Sequence, residues 1–176
     1  MKKVVKISVL LVVAAALFAG CKKDADESGY DDGVLFSKND VSIAIDASDI
    51  EFSDGNWVAT FNETHKGEAS GVSLTNSQIE RYEFTVSERG TELEVTRKIT
   101  TLYTKGTYNG ETKVSCMTEE ADAYELQGYS LSSIRNKFWR IGNSGELKTN
   151  DAQNKFYGEA DIGNSDPLLT FYAMKK

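Results

Sequence analysis

The chain has 176 residues, with 27 acidic against 20 basic side chains and a net charge of −7. No basic cluster is longer than Arg97-Lys98 or Lys175-Lys176, so the cationic face with which nucleic-acid recognition begins is missing, and no nucleic-acid partner is expected. Two cysteines cannot build a disulfide framework, and the length suits a single core.

The first element is not part of the fold. Lys2, Lys3 and Lys6 precede an uncharged run from Ile7 to Leu17, too short to span a bilayer and built like a secretory signal peptide. It ends in Leu17-Phe18-Ala19-Gly20-Cys21, which resembles the lipobox of bacterial lipoproteins. The resemblance implies diacylglycerol on the Cys21 thiol, cleavage before it, and a membrane partner reached through that lipid. With Lys22 rather than Asp after the cysteine, it also implies a lipid-anchored outer-membrane location on the periplasmic or surface side. Cleavage would remove residues 1–20 with three basic and no acidic side chains, leaving 17 bases against 27 acids, a net −10. Residues 21–33 carry five acids and two lysines and suit a flexible tether to one domain, 34–176.

From Val34 onward, short β-branched and aromatic runs alternate with turn residues. Val41, Ile43 and Ile45 have the period of a half-buried strand, and so do Trp57, Ala59 and Phe61. Asp54-Gly55-Asn56 between them is turn chemistry that would let Ile50–Phe52 pair back on the tryptophan strand. Tyr82, Phe84 and Val86 share a face and, across Glu88-Arg89-Gly90-Thr91, meet a second run with Leu93 and Val95. Asn109-Gly110 is the preferred pair of a two-residue hairpin; it sets Tyr108 opposite Glu111, Lys105 opposite Val114 and Tyr103 opposite Cys116. That register groups Tyr103, Val114 and Cys116, and makes Cys116 a small core residue with no partner in the chain if Cys21 is lipidated. Residues 118–127 suit a short helix or loop. Lys137–Ile141 looks like a strand, turned by 142–145 into Glu146–Lys148, and Lys155–Ala160 and Leu168–Met174 supply the last strands.

The expected fold class is all-β: an antiparallel up-and-down meander of eight to ten strands, forming a small barrel or, alternatively, a β-sandwich. Gly55-Asn56-Trp57 and the apolar terminal strand Leu168–Tyr172 resemble elements of small lipocalin-like lipoproteins. That likeness implies a barrel closed by its last strand.

Catalytic signals are missing. His65 is the single histidine, Glu63-x-His65 has unspecific spacing for zinc, and neither a Gly-x-Ser-x-Gly elbow nor a calcium loop is present. No enzyme activity, metal or cofactor is therefore expected. The chain is rich in aromatics, and Trp57, Phe61, Tyr103 and Trp139 are the candidates to wall a small apolar ligand's cavity. If the interior is filled instead, Tyr124, Tyr129 and the turns at 142–145 and 163–167 become the surface for a protein or glycan partner, in an adhesive or structural module.

Overall fold

A computed structural model describes residues 32–163 and 167–176, so the expected lipobox, Cys21 and most of the tether lie outside the described residues. Eight strands form one antiparallel sheet: β1 (Ile43–Ala44), β2 (Gly55–Ala69), β3 (Val72–Ser87), β4 (Glu92–Tyr108), β5 (Glu111–Glu120), β6 (Glu146–Thr149), β7 (Lys155–Asp161) and β8 (Leu168–Lys175). Their spatial order is β1-β6-β7-β8-β2-β3-β4-β5. The all-β, up-and-down class is as the periodicity implies, and β8 does pair with the tryptophan strand, Trp57 opposite Lys175 and Thr64 opposite Leu168. The sheet is open, with β1 and β5 at its ends, rather than closed by its last strand.

Turn chemistry explains the meander. Asn109 and Gly110 both have positive φ, as a type I′ turn demands, and the β4–β5 register is the one expected, including Tyr103 opposite Cys116. The second hairpin also pairs as expected, Val86 with Leu93 and Phe84 with Val95.

Among the described residues two α-helices interrupt the strands: α1 (Ala123–Leu126), begun by a capping box between Asp122 and Glu125, and α2 (Leu131–Gly142). The expected strand at Lys137–Ile141 is thus helix. Ile134, Phe138 and Ile141 recur at helical spacing and are 0–1% exposed, whereas a strand would have set Phe138 and Ile141 on opposite faces. The apolar face of α2 lies on the sheet. Gly142 ends it where a Cβ would stand 2.8 Å from Leu147 Cδ1 and 3.0 Å from Ala47 Cβ, so a larger residue would require these side chains to shift.

The main core lies between α2 and one face of the sheet, with Trp57, Ala59, Phe61, Tyr82, Phe84, Phe156, Leu169 and Phe171 pointing into it. Ile50 and Phe52, expected to form a strand, are irregular chain instead, and both are 1% exposed. The Phe52 ring lies 5.6 Å from Phe84 on β3 and 5.5 Å from Phe156 on β7. In a flat sheet those strands would be about 14 Å apart, so the sheet curls around this ring. The opposite face is covered near its middle by residues 34–41, whose Phe36 and Val41 pack on Tyr157 and Tyr172. Of the alternation at Val41, Ile43 and Ile45, only Ile43–Ala44 becomes strand; Ile43 is exposed because β1 sits at a sheet edge.

Candidate functional site

The four aromatics singled out by composition do not meet in one cavity. Trp57 (0% exposed) and Phe61 are neighbours in the filled core, with Phe156 stacked 5.9 Å from Trp57 and the Trp57 indole N–H donating to the Ser53 carbonyl at 2.8 Å. Tyr103 belongs to the opposite face, because its row across the sheet is Thr64, Ser77, Tyr103, Cys116 while Trp57 and Phe61 alternate the other way. Cys116 is half-buried on β5, outside the main core. Trp139 is 50% exposed on α2, its indole N–H donating to the Ala47 carbonyl at 3.2 Å.

Of the other candidates, Tyr124 is 80% exposed, and Tyr129 is half-buried, accepting a hydrogen bond from Lys98 at 2.7 Å. Part of the 163–167 turn lies outside the described residues. Glu63 does not await a metal: Arg140 grips its carboxylate at 2.7 and 3.0 Å and holds its pKa below the ordinary range, with His65 3.3 Å away. Among the described residues no three metal-ligating side chains converge.

Charge is buried in one place on the core face. Glu80, 9% exposed, accepts from Lys137 and from the Tyr82 hydroxyl at 2.8 Å, with Lys98 3.2 Å away. Burial pushes its pKa up, but the lysines and the hydroxyl outweigh that and hold it below the ordinary carboxylate range. Every member has a partner, so the cluster fastens α2 to β3 and β4. A second surface lies on β3 to β5, from the level of Leu169 outward: Leu74, Leu102, Met117 and Tyr108 share one face and are 38–54% exposed.

A pocket of about 820 Å³ lies at the other end of the long strands and was not anticipated. Four separate stretches line it: Glu51–Asp54, Arg89–Thr91, Arg135 on α2, and Ala152-Gln153. The β3–β4 turn is held in an unusual shape there. Glu88, Arg89 and Gly90 have φ of 52°, 58° and 81°, a left-handed run that costs a non-glycine residue about 1 to 2 kcal/mol. Asp54 stabilises it, accepting from the Arg89 amide at 3.2 Å and the Gly90 amide at 2.8 Å. Thr91 donates back to the Glu88 carbonyl at 2.7 Å, and Gly90 is pressed so close that a Cβ would stand 2.9 Å from the Phe52 carbonyl. The turn therefore presents Arg89 from a fixed backbone.

Arg135 faces the same pocket from α2, and its Nε is buried without a hydrogen-bond partner. The sequence does show the Asp54-Gly55-Asn56 and Glu88–Thr91 turns, but only folding brings them to Arg135. No family model matches the chain, and neither a curated protein nor a solved structure proves similar to it.

Proposed function

We propose that the chain is a non-enzymatic, lipid-anchored envelope protein whose β domain is an interaction module with a filled interior, engaging its ligand outside the cytoplasm at the open pocket between the β3–β4 turn, the 51–54 segment and α2. The observation that carries this reading is the contrast between core and pocket. The large aromatics pack against one another, as Phe52 does against Trp57, Phe84 and Phe156, whereas the pocket is lined by Ser53, Asp54, Arg89, Thr91, Arg135 and Gln153. A site for apolar molecules would reverse that distribution. The anchor rests on the Cys21 motif, and the outer-membrane location on the same likeness.

The reading is tested by ligand panels on the purified protein, following melting temperature and tryptophan emission. Lipids, haem-like rings and small aromatics are expected to leave both unchanged, because Trp57 has no space beside it. Polar ligands filling the pocket are expected to raise the melting temperature. A saturable change in Trp57 emission on adding an apolar molecule would overturn the filled-interior reading and restore a small apolar ligand.

A further inference from the structure

We infer that the pocket lined by Arg89 and Arg135 takes a small polyhydroxylated anion, a sugar bearing a carboxylate, phosphate or sulfate group, with the two guanidinium groups on its charge. This deepens the proposed function and rests on its identification of the pocket as the binding site.

The starting point is the fate of the arginines in an acid-rich chain. Arg97 holds Glu120 at 2.9 and 3.3 Å, and Arg140 holds Glu63. Neither Arg89 nor Arg135 has a carboxylate within ion-pair distance among the described residues, although acids outnumber bases 27 to 20. Both line one pocket. The Nε of Arg135 is buried without a hydrogen-bond partner, so the fold itself does not satisfy this guanidinium. The natural partner of a guanidinium fork is a planar carboxylate or a tetrahedral oxyanion.

The pocket's own acids do not occupy the arginines. Asp54 is turned to the Arg89 and Gly90 amides, which take both of its oxygens. Glu51 stands exposed on the rim with no cation in reach among the described residues. Lys175 adds positive charge at this end, donating to Ser53 Oγ at 3.1 Å. A bare inorganic ion would leave most of 820 Å³ unfilled. Ser53, Thr91 and Gln153 supply the hydroxyl and amide groups that match a sugar's hydroxyls.

The test is titration of the full-length protein with glucuronate, glucose 6-phosphate, glucose 6-sulfate, glucose and inorganic sulfate, following the backbone amide resonances of residues 51–54, 89–91 and 152–153. At least one charged sugar is expected to shift these amides saturably, at least tenfold more tightly than glucose and more tightly than inorganic sulfate. Arg135→Gln and Arg89→Gln are each expected to weaken that binding at least fivefold, with melting temperature confirming that each variant is folded. Glu51→Gln is expected to tighten it, the sign that separates an anion site from a cation site. Glucose binding as well as the charged sugars, unaffected by either arginine variant, would overturn the anion assignment while leaving the pocket as the site. Inorganic sulfate binding as tightly as the sugar esters would overturn the sugar assignment alone. If no probe moves these amides, the inference and the pocket's role as the binding site both fail.

Discussion

Replacing Phe138 and, separately, Trp139 by Ala tests the packing of α2 on the sheet. Phe138 is 1% exposed, with ring neighbours Phe52 at 6.1 Å, Phe156 at 6.2 Å and Phe171 closer still. Truncating a ring so enclosed leaves a cavity and costs about 3 to 5 kcal/mol. Trp139 is the larger side chain but is 50% exposed. About half of its area at roughly 25 cal/mol per Å², discounted for what the unfolded chain already buries, gives about 1 to 2 kcal/mol. With a urea slope of about 2 kcal/mol per M, Phe138→Ala is expected to lower the unfolding midpoint by about 1.5 to 2.5 M and Trp139→Ala by under about 1 M. Equilibrium unfolding by circular dichroism measures both. An equal loss, or a larger one at Trp139, would refute the helical register of residues 131–142 and return Trp139 to the interior.

Glu80→Gln is expected to cost about 2 to 3 kcal/mol at neutral pH, below the figure for a fully enclosed ion pair because Lys98 and Lys137 both reach solvent. The folded Glu80 carboxyl titrates below its ordinary value of 4.5, so its contribution is complete above that pH and lost as pH falls toward the folded value. Acid unfolding curves should therefore be flatter for Glu80→Gln than for the parent. Gly145→Ala places a Cβ 2.0 Å from the Glu159 carbonyl oxygen, which the sheet cannot easily move; a loss of more than about 2 kcal/mol is expected in thermal unfolding, and an unchanged melting temperature would refute the contact. Cys21→Ala is expected to release the protein from the membrane fraction, since the acidic tether cannot hold an anionic surface; persistence in the pellet after a high-salt wash would refute the lipid anchor.

Sequence by itself determined the strands whose causes are local. Asn109-Gly110 selects a turn with two positive φ values, and that turn dictates the β4–β5 register residue by residue. The alternation at Tyr82, Phe84 and Val86 likewise dictates a buried face, because the strand period is two. The helix at 131–142 was legible at Ile134, Phe138 and Ile141, but Lys137-Phe-Trp-Arg-Ile141 carries the aromatic and β-branched composition of a strand. Packing against Phe156 and Phe171 favours the helical period instead.

Only the tertiary structure decided that the sheet stays open, since β1 and β5 end the hydrogen-bonded order and no local pattern encodes whether distant edges meet. It also decided the faces. Tyr103 and Trp57 are similar in chemistry, yet the β2–β3–β4 register sends them to opposite sides. The pocket is the extreme case. Its residues come from positions 51–54, 89–91, 135 and 152–153, stretches unrelated in sequence, and an arginine lacking an acid is recognisable only once every neighbouring carboxylate has been placed.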